Sequence, residues 1–249
     1  MPILKVKNDG QWVIVSGGGG GGGSVEVDKT LSKSGTAADA KTTGDRFSAL
    51  ESQIADILYT PINITSFTNN IGVVEIGSGV QSVTFNWSIN KTPTTLMLGG
   101  TVLRNDLFSW TIGVNAGALL TSDTTYTLKA IDERNAESTR TTKISFLNGI
   151  YYGVISDDVI INNDVIRGLT KKLQSIKDIT FTETADEYEY IIYALPQSYG
   201  TPEFNVGGFD GGFSLHSTFD FTNSSGYTEP YCVWLSDNIG LGETTVKVS

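Results

Sequence analysis

Paired carboxylates are the first place to look for chemistry in this chain, because cysteine and histidine are nearly absent. Its 249 residues include one cysteine, Cys232, and one histidine, His216. A disulfide framework needs two cysteines, and Cys₂His₂ or Cys₄ zinc sites need more ligands than the chain has. His216 lies in the strand-like segment 213–221. There Phe213, Leu215, Phe219 and Phe221 alternate onto one face, leaving His216 with Ser214, Thr218 and Asp220 on the other. Cys232 precedes Val233-Trp234 in an apolar strand and reads as a buried thiol acting as a small hydrophobe. A glycosidase would use two of the carboxylates among Asp157-Asp158, Asp186-Glu187-Tyr188-Glu189 and Asp210. Glu187 and Glu189 alternate with Tyr188 and Tyr190, which puts both on one solvated strand face, and no spacing singles out an acid–base pair. The expectation is therefore a chain with no catalytic residues, no cofactor and no metal. Asp210 and Asp157-Asp158 also lack the regular ligand spacing of a calcium loop.

Binding is the better match to these residue types. Sugar recognition stacks an aromatic ring on the apolar face of a pyranose while carboxylates or amides take its hydroxyls. The loops 197–200, 207–212 and 223–227 supply such combinations, with Tyr199, Phe209, Asp210 and Tyr227 as candidate ligand-binding residues. The competing structural reading makes the three aromatic residues loop anchors tucked onto a core.

The overall charge is −10, which argues against nucleic acid as a partner. Residues 148–249 hold five basic and fourteen acidic side chains, whereas 63–147 hold six of each, so the acidity belongs to the last third. No apolar stretch approaches the roughly 18–20 residues of a membrane span, so no membrane insertion is expected. The first residues show no apolar signal-peptide core, and synthesis in a cytoplasm is the corresponding expectation. Four Asn-x-Ser/Thr sequons, at Asn63, Asn86, Asn90 and Asn223, are at chance level in a chain this rich in Ser and Thr.

The elements that would position these residues are mainly β. Residues 1–16 read as a hairpin, with segments 3–7 and 11–15 flanking Asn8-Asp9-Gly10. A lone hairpin is marginal in water, so it needs a partner and reads as a docking element through Ile3, Leu4, Val6, Trp12 and Ile14. Seven glycines, Gly17 to Gly23, then open a tether over 17–36. The run satisfies a dinucleotide-binding fingerprint trivially, but no helix follows it and no βαβ unit surrounds it. Over 37–60 the period changes. Ala40, Phe47 and Ile54 are spaced by seven, and so are Thr43, Leu50 and Ile57, which gives the a/d seam of a short coiled coil. Isoleucine at both an a and a d position favours three strands, so a homotrimer is expected. Residues 61–147 read as an immunoglobulin-like β-sandwich of about seven strands without a cysteine pair. Asn148-Gly149 reads as a type I′ hairpin turn coupling that sandwich to the next segment. Residues 148–249 form a second, acidic β domain with one short helix at about 164–176, carrying Ile166, Leu169, Leu173 and Ile176 on one face.

The order of these parts resembles a subunit of a tailed-bacteriophage fibre or appendage. Segment 3–12, ILKVKNDGQW, resembles the virion-anchoring start of many such proteins. Segment 27–45, VDKTLSKSGTAADAKTTGD, resembles the "D-x-T-L-x-x-x-G-x-A-A-D-A-K-x-x-G-D" stretch that precedes short coiled coils in phage structural proteins. Residues 64–147 resemble, in type rather than motif, the Ig-like modules that decorate phage virions, and 190–249 resemble C-terminal domains of phage structural proteins. The resemblance implies a virion location, an N-terminal contact with another virion protein, a trimeric stalk and a distal domain that meets the host surface, where the loops named above make a surface glycan the candidate partner. It leaves two rivals open: a capsid or neck decoration protein that binds no receptor, and a glycan-depolymerase tip.

Overall fold

The computed structural model describes residues 41–113 and 119–249 in full, and the backbone alone of 4–8, 11–15, 27–28, 37–38 and 40. The chain divides into two compact units, Met1–Thr60 and Pro61–Ser249.

In the first unit, β1 (Leu4–Asn8) and β2 (Gln11–Val15) pair antiparallel, from Leu4↔Val15 to Asn8↔Gln11. That register is the one a two-residue Asp-Gly loop imposes. Ile3, the side chains of Leu4, Val6, Trp12 and Ile14, and the glycine run lie outside the described residues. Two-residue strands β3 (Val27–Asp28) and β4 (Ala37–Ala38) pair in parallel just ahead of α1 (Ala40–Leu58). This helix has 19 residues, an i,i+4 ion pair between Lys41 and Asp45 at 2.8 Å, and Gly44 in its interior. Its apolar residues are exposed: Phe47 by 61%, Leu50 by 51%, Ile54 by 46% and Ile57 by 81%.

The second unit begins with eight strands: β5 (Ile64–Asn69), β6 (Val73–Glu75), β7 (Ser82–Ile89), β8 (Thr95–Leu98), β9 (Thr101–Leu103), β10 (Ser109–Gly113), β11 (Thr124–Ile131) and β12 (Glu137–Leu147). They form two sheets, ordered β10-β7-β5 and β6-β12-β11-β8-β9, around one shared core. Strand β7 shows why they face each other. Val83, Phe85 and Trp87 alternate inward along it and pack with Leu96, Leu128 and Ile144 of the other sheet. Buried Asp132 closes the β11–β12 turn, its carboxylate accepting from the backbone N–H groups of Ile62, Arg134 and Ala136 while Lys91 sits 3.0 Å away.

Next come β13 (Gly149–Ser156), α2 (Asn163–Gly168), β14 (Thr170–Leu173), β15 (Ile179–Ala185), β16 (Glu189–Pro196), a single 3₁₀ turn (Gln197–Tyr199), β17 (Phe204–Val206), β18 (Phe209–Asp210), β19 (Phe213–Thr222), β20 (Thr228–Ser236) and β21 (Gly242–Val248). A five-stranded sheet, β14-β13-β16-β20-β19, packs one face on the four-stranded sheet β15-β21-β17-β18 and the other on α2 with its flanking loop. Being covered on both faces, the central strand β16 is apolar without alternation, and Ile191 to Leu195 are fully buried.

Three sequence expectations are corrected in this region. Asn148-Gly149 is not a hairpin turn, because β12 and β13 enter different sheets and pair with other strands. The helix expected over 164–176 stops at Gly168, after which Thr170–Leu173 becomes an edge strand paired to β13. Gly168 and β-branched Thr170 weaken further helix there, and the open edge of β13 supplies partners that a helix would forgo. The alternation expected along 213–221 is broken by a bulge. Leu215 lies opposite Trp234 and Ser217 opposite Val233, so His216 is an extra residue with no opposite number. Phe213 therefore joins the core between the sheets, while Phe219 and Phe221 join the core under α2.

Three tyrosines of this unit, Tyr151, Tyr193 and Tyr231, are fully or almost fully buried. Burial pushes each phenol well above the ordinary value of 10.0, and the charge of Glu75 adds to the effect at Tyr151. Folding holds them neutral, so their stabilising contribution is complete below pH 10 and falls as pH rises past it. The denaturant midpoint of the chain is expected to drop steeply above pH 10. A midpoint that stays level on either side of that pH would remove these groups from the account.

Candidate functional site

The two halves of the second unit meet around a buried carboxylate. Glu75 ends β6 and is 7% exposed. Its Oε1 accepts from the Tyr151 hydroxyl at 3.0 Å and lies 3.1 Å from Lys171 Nζ, while Oε2 accepts from Ser225 Oγ at 3.3 Å. Beside it, Asn223 Nδ2 donates to the carbonyl of Ile76 at 2.8 Å, and Ser78 and Ser225 share a hydroxyl–hydroxyl bond of 2.8 Å. Asn223 Oδ1 accepts from the N–H groups of Ser225 and Tyr227, which fixes that loop. Gly77, at φ +90°, fits against it so closely that a Cβ would lie 2.6 Å from Tyr227 Cβ. These groups hold the two β-lobes together, and the Asn223 amide is engaged in that contact.

The four residues expected to bind a ligand do not converge. Tyr199 donates to the carbonyl of Gln174 at 2.6 Å and packs on the core between the sheets, the geometry of a loop anchor. Tyr227 belongs to the loop at the lobe junction. Phe209 follows the tight Gly207-Gly208 turn, whose φ values of 57° and 95° suit glycine, and it is 80% exposed. Asp210 lines a cavity of about 630 Å³ together with Glu203, Asn205, Phe204, Phe213 and Lys247. Its carboxylate is bonded to Asn205 Nδ2 at 2.7 Å, and Phe204 and Phe213 spend their faces on each other at 4.3 Å.

A second cavity, of about 400 Å³, was not anticipated as a site. It opens where the end of β13, the start of β16, the end of β20 and the start of β19 lie side by side. Ile155, Ile161, Tyr190 and Leu235 line its apolar part, and Asp157, Ser214, His216 and Asp237 its polar part. Ser214 Oγ bonds to Asp237 Oδ1 at 2.6 Å. The side chains of Asp157, His216 and Tyr190 make no hydrogen bond among the described residues. The one sequence signal for this site was Ser217, which interrupts the apolar odd positions of 213–221 at the bulge.

The other expectations are placed as follows. Cys232 is half-buried at the margin of the core between the sheets, with Thr218 Oγ1 at 3.6 Å. Glu189 starts β16 and accepts from the Asp186 N–H, whereas Glu187 precedes the strand. Among the described residues no three His, Cys, Asp or Glu side chains are grouped to hold a metal ion, and no helix is long and apolar enough to cross a membrane. Of the expected oligomerisation residues, Thr43, Phe47, Leu50, Ile54 and Ile57 lie on α1, which Ala40 begins. Comparison with protein-family models, curated proteins and solved structures gave no match.

Proposed function

We propose that this chain is a trimeric, non-enzymatic subunit of a bacteriophage fibre or appendage, joined to another virion protein through residues 1–16 and displaying its β-lobes for attachment to a host surface. The observation that carries the reading is the apolar seam of α1. A helix of 19 residues exposes Phe47, Leu50, Ile54 and Ile57 at heptad spacing, and a single helix of that length is marginal in water. Two further copies of the same helix bury the seam in register, and isoleucine at a and d favours three chains over two. The segments resembling phage proteins, 3–12 and 27–45, flank the glycine run and lead into this helix. The first lobe, with two sheets on one core, is compatible with an Ig-like module.

Light scattering on the purified full chain is expected to give three times 26.8 kDa. A monomer at micromolar concentration overturns the stalk. Antibody labelling of particles viewed by electron microscopy is expected to mark the virion, and unlabelled particles that contain the protein nowhere would overturn the virion assignment.

A further inference from the structure

The geometry points to the 400 Å³ cavity at the end of the five-stranded sheet as a binding site for an uncharged pyranose, with Asp157, Asp237 and His216 as its polar contacts. This deepens the attachment reading above and rests on it for biological meaning, but the chemistry stands on the cavity.

The cavity volume falls in the usual range for small-ligand sites, about 300–1,000 Å³. Its apolar part is a continuous strip from neighbouring strands. Ile155 and Tyr190 are paired across β13 and β16, and Leu235 follows on β20, with Ile161 arriving from the loop before α2. A strip of this kind accepts the C–H face of a sugar ring, and a tyrosine ring is well suited to it.

The polar part is made of groups that hydroxyls can satisfy. Asp157 and Asp237 accept hydrogen bonds, Ser214 already orients one oxygen of Asp237, and His216 can donate or accept. The bulge matters because it adds His216, the only imidazole of the chain, at the strand end that borders this cavity. Because Asp157, His216 and Tyr190 have no side-chain hydrogen bond among the described residues, their bonding capacity is available to a ligand. The larger cavity is less suited, its aspartate being bonded to Asn205 and its two phenylalanines stacked on each other.

Charge narrows the ligand class. Two carboxylates face the cavity within a region carrying five basic and fourteen acidic side chains, so uronic acids, sialic acids and phosphates are disfavoured. At the rim, Val159 is 38% and Leu215 51% exposed, and Ile160, between two lining residues, is 85% exposed. These provide apolar surface for a neighbouring sugar unit of a longer chain.

Because His216 is the only histidine, its imidazole C–H resonances in full-length protein labelled at histidine report on this site alone. The probes are methyl glucopyranoside, methyl galactopyranoside and N-acetylglucosamine, with glucuronate and methylamine as charged comparisons. At least one neutral sugar is expected to move the His216 resonances saturably, with a Kd on the order of 1 mM. Asp157→Asn with Asp237→Asn, both exposed positions, is expected to weaken that binding about tenfold or more, while Asp210→Asn in the other cavity leaves it unchanged. The proposal is overturned if no neutral sugar moves the resonances, if glucuronate or methylamine moves them as readily, or if Asp210→Asn alone abolishes the response. Failure of sugar binding in a chain that still measures as a trimer removes the site and leaves the fibre reading standing; a monomer that binds the sugar does the reverse.

Discussion

Aspartate at Ile54 and Ile57 of α1 is expected to turn the proposed trimer into a monomer while both β-lobes unfold as before. Each isoleucine buried in a seam contributes about 1.5–3 kcal/mol. Three chains carrying two such positions therefore lose on the order of 10 kcal/mol of association energy, before the cost of bringing three carboxylates into each layer is added. Within a single chain Ile54 is already 46% and Ile57 81% exposed, so the isolated fold gives up little on substitution. The comparison is Glu51→Lys, which lies off the seam and should leave the mass at three chains. Light scattering separates the cases. A double-aspartate variant that still measures as a trimer would show that another surface holds the chains together.

Glu75→Ala is expected to have the second largest effect, destabilising the second unit by about 3 kcal/mol and splitting one unfolding transition into two. The Tyr151 hydroxyl, on a side chain only 1% exposed, would lose its acceptor, which costs about 1–3 kcal/mol by itself. The space left by the carboxylate adds a cavity term. Lys171 is about one-third exposed and regains water, so its loss of partner adds little. Glu75→Gln keeps the volume and an acceptor for Tyr151 and should cost about 1 kcal/mol. Denaturant unfolding followed by tryptophan fluorescence can resolve the lobes, since Trp87 reports on the first and Trp234 on the second. If Glu75→Ala unfolds at the midpoint of the unaltered chain, the carboxylate does not couple the lobes.

Local signals served well wherever a pattern repeated within about ten residues. The Asp-Gly sequence signal pointed to the β1–β2 pairing, heptad spacing placed α1, and the alternation of Val83, Phe85 and Trp87 gave a strand with one buried face. What local reading lost was set by partners far along the chain. Leu169 and Leu173 fit one helix face until the edge of β13 becomes available to Thr170–Leu173. Glu75 carries no local signal of its role, because its partners Tyr151, Lys171 and Ser225 come from 76 to 150 residues away. The same holds for the candidate sites. Loop composition points equally to Tyr199, Phe209 and Tyr227, yet it does not tell a ring that hydrogen-bonds Gln174 from one that faces solvent. His216 reads as a surface residue because the odd-position phenylalanines on both sides of it mimic unbroken alternation, although they serve opposite faces of the sheet.

The pairing of β6 with β12 has a mechanical consequence. It is the parallel contact of the first lobe, running from Ser145↔Val73 to Leu147↔Glu75, with bonds from Ser145 N–H to Gly72 and from Ile76 N–H to Leu147 of 2.9 Å each. One of these strands leads back toward Pro61 and the other forward into the second lobe. Tension entering at Pro61 meets β5 first, and once β5 is drawn off β7 it pulls the parallel strands lengthwise in opposite directions, so their bonds are loaded in shear and share the force. An antiparallel pair pulled from adjacent ends would instead open one bond at a time, like a zip. A lobe wired in this way resists being drawn out along its length, which suits a link between a fixed point at one end and a tethered load at the other.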